Sequence, residues 1–170
     1  MGLPRTLKDM MLFNEGLAYL GEAASVTLPK LTRKMEEWRG AGMSAPLKLD
    51  MGMEALEMES SFGGPMRDIL RQFGATKVNG IYLRFAGTYQ RDDSGAVDMI
   101  EIVVRGRHEE IDRGESKPGE AGEFKVKTAA AYYKESWNGR VEMEFDPLNM
   151  VEIVNGVDLM AQRRAALGMF

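Results

Sequence analysis

Residues 26–59 read VTLPKLTRKMEEWRGAGMSAPLKLDMGMEALEME. The return half alternates. Leu47, Leu49, Met51 and Met53 fall on one side, and Lys48, Asp50, Gly52 and Glu54 on the other. A period of two is the mark of a strand with one dry and one wet face. Between the halves lies Arg39-Gly40-Ala41-Gly42-Met43-Ser44-Ala45-Pro46. Glycine supplies turn conformations and proline cannot donate a ladder hydrogen bond, so the chain reverses there. The stretch predicts one long β-hairpin, with arms Val26–Trp38 and Leu47–Glu59. Past Glu54 the apolar phase moves to Leu56 and Met58, which predicts a β-bulge near Ala55. An arm of ~12 residues reaches about 40 Å at roughly 3.3 Å per residue. Such a hairpin either sits in its own sheet or overhangs the domain, and an overhanging ribbon needs neighbours because its edges are unpaired.

The rest of the chain fits a β-rich protein. Met10–Phe13 and Leu17–Leu20 flank Asn14-Glu15-Gly16 as a short hairpin. Met66, Ile69, Leu70 and Phe73 form an apolar helical stripe between Pro65 and Gly74. Strands are predicted over residues 81–91, 97–111 and 123–137. Asn138-Gly139 then turns the chain into Val141–Phe145, and Asp146-Pro147-Leu148-Asn149 turns it into Met150–Val154. Asp158 is placed to cap a last helix over Leu159–Leu167. Residues 1–170 read as one domain of antiparallel hairpins, mainly β with one short internal helix and one C-terminal helix.

Composition removes several functions. The 170 residues carry 22 basic and 26 acidic side chains, net −4, which lacks the basic stripe of a nucleic-acid binder. There is no cysteine, hence no disulfide, thiolate metal site or cysteine nucleophile. No run approaches the ~18 apolar residues of a membrane span. Lys8 and Asp9 stand where a signal peptide would be apolar, and Met-Gly at the start is a weak acylation signal followed at once by Pro4 and Arg5. His108 is the only histidine and reads as solvated among Arg105, Arg107, Glu109 and Glu110. The acidic pairs Glu36-Glu37, Asp92-Asp93 and Glu109-Glu110 lack calcium-loop spacing. No phosphate loop or nucleophile elbow is present. No catalytic residue, metal or cofactor is expected, and self-association is the work left.

The stretch from Thr27 to Glu57, the start Leu3-Pro4-Arg5 through Leu12-Phe13-Asn14-Glu15-Gly16, and the end Asp146-Pro147-Leu148-Asn149 with Val154-Asn155-Gly156-Val157-Asp158 together resemble the major tail tube proteins of contractile-tailed phages and R-type tailocins. Residues 92–122 match that pattern least. The resemblance implies a β-sandwich or barrel-like tail-tube fold with a protruding hairpin, assembling as stacked hexameric rings whose hairpins line a bore. It implies as partners the chain itself, a tail sheath, a tape-measure protein, a baseplate hub and a tail terminator. Phage DNA, or ions in a tailocin, would pass through without specific binding. It places the protein in the virion or tailocin particle, assembled in the bacterial cytoplasm, and implies no catalysis.

Carried onto this sequence, the lumen candidates are Thr32, Lys34, Glu36, Lys48, Asp50, Glu54, Glu57 and Glu59. Leu47, Leu49, Met51 and Met53 are expected to pack on the subunit's own core. The tip, Arg39, Gly40, Ala41, Gly42, Met43, Ser44, Ala45 and Pro46, would reach the adjacent ring, and Arg163 and Arg164 would meet the sheath. The rival readings are a type VI secretion-like inner tube protein and a monomeric β-sandwich binding module.

Overall fold

A computed structural model describes residues 2–169. The chain opens with β1 (Arg5–Asn14), β2 (Leu17–Ala18) and β3 (Ala23–Thr27). The arm follows as β4 (Arg33–Trp38) and β5 (Leu47–Met53), then β6 (Leu56–Phe62) and α1 (Arg67–Gln72). Three long strands come next: β7 (Ile81–Arg91), β8 (Val97–Asp112) and β9 (Phe124–Trp137). The chain ends with β10 (Arg140–Asp146), a 3-10 turn at Pro147–Asn149, β11 (Val151–Val154), β12 (Val157–Asp158) and α2 (Ala161–Ala166). All pairings are antiparallel.

Strands β8 and β9 are the spine. Their upper parts belong to one layer, ordered β12-β11-β10-β9-β8-β7-β1-β2. Their lower parts belong to a second layer, in which β6 replaces β10 on the flank of β9 and β3 follows β6. Register shifts at Arg105/Gly106 and His108/Glu110 bend the pair from one layer to the other. A bulge adds local twist and turns a strand out of its sheet, so it lets one strand serve two layers. Gly106 sits at the first corner because a Cβ there would lie 1.9 Å from the carbonyl oxygen of Ala129. Between the layers is one apolar core. Phe62, Met58, Phe124 and Val126 come from the lower layer, and Leu83, Phe85, Ile102, Val104, Tyr133 and Phe145 from the upper. Phe62 meets Tyr19 and Phe124 edge to face, at 5.3 and 6.4 Å between centroids.

The long hairpin is present but broken. Its root pairs as β3 with β6, ending at Thr27↔Glu59, and its outer part pairs separately as β4 with β5. Pro29 lies in the gap on the first arm, where it removes a ladder donor. On the return arm Glu54 and Ala55 interrupt the strand where the phase slip predicts a bulge, and Glu54 N–H donates to the Thr32 carbonyl at 2.9 Å. The register shift of the arm lies three residues before Ala55, between Asp50 and Met53. Gly52 adopts φ +101° and donates to Asp50 Oδ1 at 2.9 Å.

Helix α1 buries Met66 and Ile69 but leaves Phe73 52% exposed, so only half of its predicted stripe meets the core. Helix α2 is shorter than predicted, and Asp158 accepts from Met160 N–H at 3.0 Å just ahead of it. His108 is buried, not solvated. The bulge that follows it turns its side chain inward, where Nδ1 meets Thr128 Oγ1 at 3.0 Å and Nε2 meets Gln72 Oε1 at 3.1 Å.

Candidate functional site

The lower layer, β3-β6-β9-β8, has one face on the core and one face uncovered. Register fixes which side chains share the uncovered face. Glu59 lies opposite both Thr27 and Lys127, Lys127 opposite Glu110, and Lys125 opposite both Ser61 and Asp112. Glu57 reaches the same face and pairs with Lys127 Nζ at 3.3 Å. The result is four carboxylates, Glu57, Glu59, Glu110 and Asp112, against the ammonium groups of Lys125 and Lys127. The ammonium of Lys127 is held above the usual lysine range, first by the Glu57 hydrogen bond. Among the described residues, neither edge of this layer carries a further strand. β3 pairs only with β6, and β8 below Gly106 pairs only with β9. Because the four strands alternate, the two open edges run in opposite directions.

The eight lumen candidates separate into three groups. Thr32, Glu54, Glu57 and Glu59 gather with Lys30 and Lys127 around a cleft of about 290 Å³ at the arm's root. The other four divide between the two faces of the arm, which corrects the expectation of one polar face. The eight-residue tip closes on the pair Trp38↔Leu47, so Glu36 lies opposite Leu49, whereas Lys48 lies opposite Glu37 and Asp50 opposite Met35. Even positions on β4 therefore share a face with odd positions on β5. Lys34 and Glu36 point to the side of Trp38, Leu47 and Leu49, while Lys48 and Asp50 point to the side of Arg33. Arg33 donates to Asp50 at 3.0 Å and to Glu152 of β11 at 2.5 Å, tying the arm to the C-terminal lobe. The Glu152 hydrogen bond is the first cause of the raised Arg33 pKa.

The apolar side of the arm does not pack on the subunit. Trp38, Leu47 and Met51 are 58, 59 and 49% exposed, and only Met53 joins the core. The bulge at Gly52 accounts for the exception, because it moves Met53 to the body-facing side opposite Arg33. The tip, Arg39–Pro46, is an exposed turn. Met43 N–H donates to the Gly40 carbonyl at 3.2 Å, and Arg39 Nε to the Met43 carbonyl at 3.2 Å.

The two candidate sheath-contact residues differ. Arg163 is exposed. Arg164 is an internal clamp: it donates to the Met150 carbonyl at 2.7 Å and holds both oxygens of Asp158. That partner keeps the Asp158 carboxyl below the usual range. Arg164 thus fastens α2 to Asp158 of β12 and to the Met150 carbonyl.

Sequence reading missed Glu110, Asp112, Lys125 and Lys127 as neighbours of Glu57 and Glu59. Alternation along β9 does put Lys125 and Lys127 opposite Phe124 and Val126. Which strands lie side by side is not carried by any local pattern.

The family described as phage tail tube protein FII matches residues 4–168. The tail tube protein of Escherichia phage P2 is 48% identical, covering 99% of this chain and 100% of the relative. The major tail tube protein of Serratia phage KSP20 is 33% identical, covering 99% of each. Among solved structures, a chain of the PVC extracellular contractile injection system, in its extended sheath–tube complex, shares the fold. Its TM-score is 0.59 at 11% identity, over 78% of this chain and 91% of that one. A chain of the sheath/tube terminator of that system gives the same TM-score at 10% identity, over 78% of this chain and 96% of that one.

Proposed function

Because the chain belongs to the phage tail tube protein FII family, we propose that it assembles as stacked hexameric rings forming the inner tube of a contractile injection machine. The family is structural, not enzymatic. The tube's bore would conduct DNA, or ions in a tailocin. The single observation that carries the reading is the lower layer. It offers a polar face, an apolar face on the core, and two open edges of opposite direction. Copies added edge to edge keep the antiparallel alternation at every joint, and a closed ring removes all open edges. In that ring Glu57, Glu59, Glu110, Asp112, Lys125 and Lys127 face the bore. The bore is then lined by β3, β6, β9 and β8, with the outer hairpin β4-β5 projecting beyond it.

The exposed apolar side of the arm supports the same reading, since Trp38, Leu47, Leu49 and Met51 need a partner that the monomer lacks. The tip would touch the adjacent ring. A surrounding sheath, a tape-measure protein within the bore, a baseplate hub and a terminator are the partners of such a tube. Assembly would take place in the bacterial host, and the product would belong to the virion or tailocin particle.

Negative-stain electron microscopy with light scattering over a concentration series tests the proposal. Hollow six-fold rings or tubes are expected. A chain that stays monomeric at all concentrations, and also in the presence of baseplate hubs, overturns it.

A further inference from the structure

We propose that Asn155 is a site of spontaneous covalent modification, where the ageing chain loses an amide and gains either a carboxylate or a rearranged backbone. The chemistry starts from a dipeptide. An Asn followed by Gly closes on itself readily, because glycine has no Cβ to hinder its amide nitrogen. The chain holds such pairs at Asn79-Gly80, Asn138-Gly139 and Asn155-Gly156, all exposed. In the reaction the Gly156 amide nitrogen gives its proton to hydroxide and attacks Asn155 Cγ. The new C–N bond closes a five-membered succinimide and the Cγ–Nδ2 bond breaks. Nδ2 takes a proton back from water and leaves as ammonia. A second water then opens the ring at either carbonyl, leaving aspartate or isoaspartate.

The structure separates these pairs. Asn138 and Asn155 each open a hairpin turn at positive φ, +50° and +52°, followed by Gly139 and Gly156 at +85° and +77°. Cyclisation swings the carboxamide over the next amide, so each turn must first open. Asn138 is pinned to β8. Its N–H donates to the Met99 carbonyl at 2.9 Å, its Oδ1 accepts from Met99 N–H at 2.9 Å, and its Nδ2 donates to Asp98 Oδ1 at 3.0 Å. Its turn also joins two long strands, β9 and β10. Asn79 lies in the loop before β7, and there the nucleophile is occupied, because Gly80 N–H donates to the Lys77 carbonyl at 3.2 Å. Asn155 is held least. Among the described residues its carboxamide has one partner, the exposed guanidinium of Arg140, which donates to Oδ1 at 3.3 Å. Its turn closes on the two-residue strand β12, paired at Ile153↔Asp158 and Val154↔Val157. A short edge hairpin opens at low cost, and a loosely held carboxamide then reaches the next amide.

The change reaches past the turn. Asp158 of β12 accepts from Met160 N–H and holds Arg164, so β12 carries α2. Isoaspartate adds a carbon to the main chain and disrupts that hairpin, whereas aspartate keeps the turn and gives Arg140 a carboxylate. Peptide mapping of the purified full chain, incubated at mildly alkaline pH in water enriched in heavy oxygen, tests the assignment. Asn155 should convert about ten-fold faster than Asn138 or Asn79, taking up heavy oxygen as it does. An isoaspartyl methyltransferase with a labelled methyl donor should mark the peptide that holds residue 155. Conversion at Asn138 or Asn79 that matches or outruns Asn155, or an Asn155 left intact, overturns the proposal. Asp98→Ala checks the reason for the ranking. It should raise the Asn138 rate toward that of Asn155, and an unchanged Asn138 rate overturns the protection by its hydrogen bonds. None of these outcomes bears on the tube reading.

Discussion

His108 sits in a closed polar network. The Gln72 amide nitrogen donates to Asn14 Oδ1 at 2.8 Å, so Gln72 Oε1 is an acceptor for Asn14 Nδ2 at 2.7 Å and for His108 at 3.1 Å. His108 therefore carries its proton on Nε2, and Nδ1 accepts from the Thr128 hydroxyl. Asn14 also donates to the Tyr19 hydroxyl at 2.9 Å. No buried side-chain polar atom among the described residues lacks a partner. Burial disfavours the charged imidazolium and pushes the His108 pKa down from 6.5 to about 4. The unfolded chain takes up a proton near 6.5, so the stabilisation is complete above that pH and is lost as pH falls toward 4. At pH 4.5 the loss is about 2.5 kcal/mol relative to pH 7. Denaturant unfolding at the two pH values measures it, and His108→Gln should flatten that limb. The lowered carboxyls of Asp93, Asp98 and Asp158 act below their ordinary 3.8, outside this window. Gly106 gives the second prediction at this scale. A methyl group there meets backbone, not a flexible side chain. Gly106→Ala should cost about 3 kcal/mol or more, read from the unfolding midpoint.

The arm is held at its base by few ties, chiefly Met53 in the core and Arg33 on Glu152. A two-stranded ribbon alone is marginal in water. Amides of β4 and β5 should therefore exchange faster than those of β8 and β9, and Arg33→Ala should speed arm exchange further. Arg33 is one-third exposed, so the change in global stability should stay within about 1 kcal/mol. Leu47→Ser with Leu49→Ser tests the other side of the arm. These side chains are exposed, so the midpoint should move little, while ring or tube formation should fail in light scattering. The arm also marks how far the sequence could be read. Strict alternation in Leu47–Met53 announces a strand, and Pro46 with the tip glycines announces the reversal. Face assignment depended on the closing pair of the turn. Trp38↔Leu47 shifts the parity by one residue relative to the expected polar face. The buried state of His108 had no local signal, because the bulge that turns it inward is a property of the β8–β9 pairing.

At the scale of the whole molecule, the lower layer faces one way and the upper layer the other, with one core between them. In the proposed tube, one layer lines the bore and the opposite layer looks outward. The bore face carries more carboxylates than ammonium groups, and repetition around a ring multiplies the imbalance. DNA in a narrow channel lined by like charge gains no counterion-release affinity for the wall, so it slides instead of sticking. Replacing Glu57, Glu59 and Glu110 with lysine reverses the balance. These side chains are exposed and make few folding contacts, so particles carrying the triple variant should assemble. Their DNA release should be slower at low salt and recover as salt screens the contact, because each phosphate–lysine contact displaces ions that added salt restores. Release kinetics measured across an ionic-strength series separate the effect from an assembly defect, since a defective tube would not recover with salt. Normal release at low salt in intact variant particles would sink the charge argument, leaving Lys125 and Lys127 as evidence that the face is tuned for solubility alone.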